Sequence, residues 1–122
     1  MPAATLSIPP SVEHVRTARL VAVAAARRAG LDEATVDDVR LAVGEAVARA
    51  VLRHGAAETD AHVDVVVRDD DQGFEVEVHD RTDSSVADDD DGVALALVRA
   101  LVPEVRVDDG TVALVWPARH AT

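Results

Sequence analysis

In the first half of this 122-residue chain the apolar residues repeat at helical spacing, and after His62 they switch to strict alternation. That switch limits the fold more than any other feature, because a helix buries one stripe while a strand buries every second residue. Val12, Val15, Ala18, Ala22, Ala26 and Ala29 recur up to Gly30, predicting a helix capped by Ser11 and stopped by the glycine. A second helix is predicted over about 33–53, ending at Gly55, with Val36, Val39, Val43, Val47 and Ala50 as its buried stripe. Val63, Val65 and Val67, a turn at 69–73 (DDDQG), and Phe74, Val76 and Val78 then read as a hairpin. Residues 81–91 are acidic and without period, which predicts a loop. A third helix over 93–102 is stopped by Pro103. Val105 and Val107, the Asp109-Gly110 turn, and Val112, Leu114 and Trp116 make a second hairpin, with Trp116 in the core. A short β-prone stretch at 5–8 completes the order β-α-α-β-β-α-β-β. The expected fold is a single α+β domain over 1–122, a two-layer α/β sandwich with three helices on one face of a mostly antiparallel sheet.

Composition removes several classes of function. With no cysteine, disulfides, thiolate metal sites and cysteine nucleophiles are excluded. No apolar run reaches the length of a membrane span, and residues 1–10 do not resemble a signal peptide, so a cytoplasmic protein without membrane contact is expected. The net charge of −11 argues against direct nucleic-acid binding, which needs clustered basic side chains. It favours a basic protein partner, although acidity also simply keeps a small domain soluble.

Four local motifs carry the candidate chemistry. In the second helix, LAVGEAVARAV places Glu45 and Arg49 one turn apart, so both side chains point the same way. VEVHD ends a strand at Asp80 and is followed by Thr82 and Ser84. Gly92, Ala94 and Leu95 open the third helix, and Gly110-Thr111 enters the last strand. His54, at the end of the second helix, suits a C-terminal cap.

Together these motifs resemble the GHKL (Bergerat-type) ATPases, and within them the small bacterial anti-sigma-factor serine kinases, over nearly the whole chain. The resemblance implies a general base at Glu45, an Mg²⁺-ligating Asn where Arg49 stands, and an adenine-reading Asp80 backed by the hydroxyl of Thr111. It also implies a glycine-lined approach where Thr82 and Ser84 stand, and phosphate contacts at Gly92 and Ala94, where a helix N-terminus offers free N–H groups. Arg49 departs most, because a guanidinium cannot bind a metal ion and can neutralise Glu45. The chain contains no Asn to take over the metal role, so no metal ligands are assigned. Residues 88–91 add four carboxylates at the mouth of a triphosphate site, within about one Debye length, ~8 Å, of one another. ATP and Mg²⁺ are the implied ligands, and these departures count against both. Alternatively, Arg49 could grip phosphate directly in place of the metal.

The resemblance therefore implies a transcription regulator that grips a sigma factor or an anti-anti-sigma protein, with weak or absent phosphotransfer. Its partner face would include the first helix, with Glu13, His14, Arg16 and Arg19, and a homodimer is compatible with it. An active serine/threonine kinase phosphorylating an anti-anti-sigma protein is the alternative. A phosphoacceptor domain with Ser84 or Ser85 as target would need alternating strands and helices near its end, against which the two terminal hairpins speak.

Overall fold

The alternating stretches form strands and the helical-period stretches form helices, in the expected order, in a computed structural model that describes residues 3–80, 91–108 and 110–118. The elements are β1 (Ala3–Ile8), α1 (Val15–Arg28), α2 (Glu33–Ala56), β2 (Val63–Asp70), β3 (Gly73–His79), α3 (Asp91–Leu101), β4 (Glu104–Asp108) and β5 (Thr111–Pro117). The strands join one antiparallel sheet in the order β1-β2-β3-β5-β4. All three helices pack on one face of it, with α2 between α1 and α3. Thr82, Ser84, Ser85 and residues 88–90 lie outside the described residues.

The predicted stripe of α2 is fully buried, and Ala42, Ala46, Val51 and His54 join it. These meet Val63, Val65, Val67, Phe74, Val76, Val78, Val112, Leu114 and Trp116 from the covered sheet face. Trp116 belongs to the core as expected, its ring centroid 6.0 Å from that of Phe74. Asp32 caps α2, its side chain accepting from the Thr35 N–H at 2.8 Å.

The start of α1 differs from the sequence expectation. Ser11 makes no capping bond, a 3₁₀ turn at Val12–His14 precedes the helix, and Val12 is 69% exposed. That turn rotates Val12 out of the stripe, and Val23 is buried in addition to Ala18, Ala22 and Ala26. Arg19 crosses α2 at Gly44, where a Cβ would lie 2.8 Å from its Cδ, so small side chains let α1 and α2 approach closely.

The opposite sheet face is laced with charge. Arg68 Nη1 donates to Glu77 at 2.7 Å and to Glu75 at 3.2 Å, while Arg106 Nη2 reaches Glu75 at 3.0 Å. Burial, then the bond and charge of Glu77, raise the Glu75 pKa above the ordinary carboxylate value. For Glu77 burial also raises it, but hydrogen bonds from Arg68, Glu75 and His79 outweigh that and leave it lowered. The stability that Glu77 contributes is present above its unfolded pKa and lost as pH falls through its lowered folded pKa. Glu75 has the opposite sign: its contribution is present at low pH and lost as pH rises through its raised folded pKa. At neutral pH Glu77→Gln should therefore destabilise by about 0.5–1 kcal/mol, a small figure because Arg68 is solvent-screened. Glu75→Gln should be neutral or slightly stabilising. Urea unfolding at neutral pH and again below the carboxylate range checks both, and equal losses at neutral pH would contradict the assignment.

Candidate functional site

Three side chains at four-residue intervals, Glu45, Arg49 and Arg53, follow one flank of α2 beside its buried stripe, and all are half-buried. They extend over about 12 Å of the helix axis at 1.5 Å per residue. The Glu45–Arg49 ion pair that their spacing favours does not form: among the described residues Glu45 has neither an ion pair nor a hydrogen bond.

Asp80 reaches the end of this flank because β3 alternates. Phe74, Val76 and Val78 face the helices, and Asp80 continues their parity just past the strand. The backbone there is fixed by Gly110, whose carbonyl accepts from the Asp80 N–H at 2.6 Å. Gly110 has φ +72, and a Cβ on it would lie 2.6 Å from the Asp80 carbonyl oxygen, so glycine is needed for both conformation and space.

The Asp80 carboxylate is already engaged. Arg53 Nε donates to Oδ2 at 2.5 Å, and His54 Nε2 lies 3.3 Å from Oδ1. The other ring nitrogen of His54, Nδ1, lies 2.8 Å from the Ala61 carbonyl, so both nitrogens face oxygen acceptors. The Asp80 side chain is 3% exposed and that of Arg53 only 12%. His54 is thus a buried partner of Asp80 rather than a helix cap, which corrects the expectation from sequence. Arg53 was missed, although the four-residue step from Glu45 through Arg49 leads directly to it.

Thr111 is also placed differently. Its Cα pairs with His79 across β3 and β5, and its Oγ1 lies 3.1 Å from His79 Nδ1 on the charged sheet face. The hydroxyl expected behind Asp80 is therefore on the other side of the sheet, and Arg53 and His54 back the carboxylate instead. Gly92 and Ala94 lie in the first turn of α3, which packs on α2. A depression of about 390 Å³ at Thr5, Asp64, Val66, His79 and Thr111 reaches Asp80 and Gly110 from the open face.

Three helices on one face of an antiparallel sheet, with a strand-end aspartate beside the flank of the central helix, make a two-layer α/β sandwich. The chain belongs to the histidine kinase-like ATPase domain family, whose model matches residues 8–116. Its fold is similar to that in the crystal structure of the RsbU and RsbW domains of Rv1364c from Mycobacterium tuberculosis. The TM-score is 0.74 at 24% identity, over 100% of this chain and 34% of that one, so the chain spans about a third of that protein's length. No curated protein matches it significantly. Among the described residues no helix is long and apolar enough to cross a membrane.

Tested against the nucleotide that such a fold implies, the side chains do not fit as they stand. Arg49 stands where the resemblance implies an Mg²⁺-ligating Asn, and a guanidinium offers a metal ion no ligand atom. A base amine would have to displace Arg53 from a carboxylate that is almost wholly buried.

Proposed function

We propose that the protein is a partner-binding regulator of bacterial transcription of the anti-sigma type, acting by contact with a sigma factor or an anti-anti-sigma protein, with weak or absent phosphotransfer. What carries this reading is Arg49, half-buried on the flank of α2, standing where the motif resemblance implies a metal-ligating Asn. Membership of the ATPase domain family and the resemblance of the helix motif to the anti-sigma kinases support it. The exposed Glu13, Arg16 and Arg19 and half-buried His14 are available for the partner face.

An active serine kinase is the second reading, and one observation favours it. Glu45 is not paired with Arg49, so its carboxylate is not neutralised in the way the spacing suggested.

Calorimetric titration with ATP, with and without Mg²⁺, decides between them when run beside Arg49→Asn. The native chain is expected to give no heat and the variant only weak binding. Micromolar binding by the native chain, or specific serine phosphorylation of an anti-anti-sigma partner, would overturn the proposal.

A further inference from the structure

We propose that the outer edge of β1 pairs with the same edge of a second copy of this chain. The two strands run antiparallel about a two-fold axis, and the two five-stranded sheets join as one of ten strands. This contact needs neither ATP nor a transcription partner.

The two edges of the sheet are guarded differently. β1 and β4 are its outer strands, and an edge strand presents unpaired N–H and C=O groups on which another strand can form. Charge, proline or a bulge usually blunts such an edge. β4 is blunted, with Glu104, Arg106 and Asp108 at three of its five positions. β1, AATLSI, carries neither charge nor proline. It pairs with β2 through six consecutive positions, from Ala3 with Arg68 to Ile8 with Val63, so no bulge twists it away. Among the described residues no strand lies beyond it.

The surface above this edge continues the pattern. α1 lies over the β1–β2 side of the sheet, and Arg19 marks its flank toward α2, where it crosses Gly44. Thr17, Val21, Ala24 and Arg28 share the opposite flank, which overhangs β1. Thr17 and Ala24 are exposed and Val21 is half-buried, so the strip is small and uncharged until Arg28 ends it. Leu20, 58% exposed, borders the strip.

Charge selects a second copy as the occupant. Glu13 stands just before α1 and Arg28 closes it, so the strip has opposite charges at its two ends. Glu13 is held only loosely, by Ser11 Oγ at 3.4 Å and His14 Nε2 at 3.7 Å. Arg28 has neither an ion pair nor a hydrogen bond among the described residues. A two-fold axis normal to the sheet keeps all helices on one face and runs the two α1 helices antiparallel. The Arg28 end of each copy then meets the Glu13 end of the other, a match that the strip makes with itself.

Sedimentation of the full chain at about 0.15 M salt, where charge is screened beyond about 8 Å, is expected to show a dimer. A monomer at every concentration overturns the inference. Because the chain has no cysteine, Thr5→Cys and Glu104→Cys each accept a single nitroxide label, and paramagnetic resonance reads the distance between copies. Labels at Thr5 should lie within about 20 Å, the strand spacing plus two label arms. Labels at Glu104 should lie about 43 Å apart, nine inter-strand steps of about 4.8 Å. A short distance at Glu104, or at neither position, overturns the inference. Glu13→Arg and Arg28→Glu should each weaken the dimer at least about tenfold, because each reversal sets like charges together at both ends. Combining them should restore it, and a double variant no tighter than either single one is equally decisive. All four side chains are exposed, so the substitutions leave the core intact. The ATP titration tests the proposed function separately, so either reading can fail alone.

Discussion

Asp80→Ala is expected to lower the unfolding free energy by about 3–5 kcal/mol, the range for removing one partner of a buried charge pair. The loss is large because of what remains. Arg53, with a side chain 12% exposed, and His54, with none exposed, would both keep their donors in the interior without the carboxylate that receives them. A surface pair of the same length would cost no more than about 1 kcal/mol, so the measured size separates the two cases. Asp80→Asn keeps the shape and one acceptor oxygen but not the counter-charge, and its loss should be intermediate. Combining Asp80→Ala with Arg53→Leu removes charge from both sides and should recover part of the loss. Urea unfolding followed by circular dichroism measures all of these. A loss below about 1 kcal/mol for Asp80→Ala would show that the pair is solvated in solution.

The pair also shows where sequence reading reaches its limit. The stripe of α2 was legible because Val36, Val39, Val43, Val47 and Ala50 obey one local period, and period is set by backbone geometry alone. The hairpins were legible for the same reason, although the turn expected at 69–73 narrows to residues 71–72, because Asp69 and Asp70 pair with Phe74 and Gly73 as part of the ladder. Ion pairing between Arg53 and Asp80 joins residues twenty-seven apart in the chain, on different elements, and no local period encodes it. The parity of β3 did encode half of it. With Phe74, Val76 and Val78 facing the helices, Asp80 must face them too, and a residue paired with His79 must face the other way. Thr111 is that residue, so its hydroxyl was excluded from Asp80 by register before any side chain was placed. The i, i+4 logic applied to Glu45 and Arg49 stopped one turn early. Continued to Arg53, it marks the third member of the flank. The capping roles given to Ser11 and His54 failed because residue type near a helix end says only what a side chain can do. Burial of His54 against Asp80 and Ala61, and the 3₁₀ turn after Ser11, are tertiary facts.

Gly73→Ala should cost about 2–5 kcal/mol, from backbone strain and overpacking together. Gly73 opens β3 with φ +134, a conformation that residues bearing a Cβ rarely adopt. The space is closed as well. A Cβ built there would lie 2.3 Å from the Trp116 carbonyl oxygen, 2.7 Å from the Ala118 nitrogen and 2.8 Å from the Pro117 Cα. All three are backbone atoms, so no rotamer change relieves the contact. The end of β5 would have to move away from β3, where Gly73 pairs with Pro117 and the Ala118 N–H donates to the Gln72 carbonyl at 2.9 Å. That movement also loosens the contact between Phe74 and Trp116, which closes the core at this edge. The chain has one tryptophan, so its fluorescence reports on this edge alone. Gly73→Ala is expected to shift Trp116 emission to longer wavelength in the native state and to lower the urea midpoint. Gly55→Ala is the control, because a Cβ at that position of α2 meets nothing within 4 Å. It should leave Trp116 emission unchanged and be neutral or slightly stabilising, through the better helix propensity of alanine. If the two variants behaved alike, the close approach of the 70–73 turn to the end of β5 would not exist in solution.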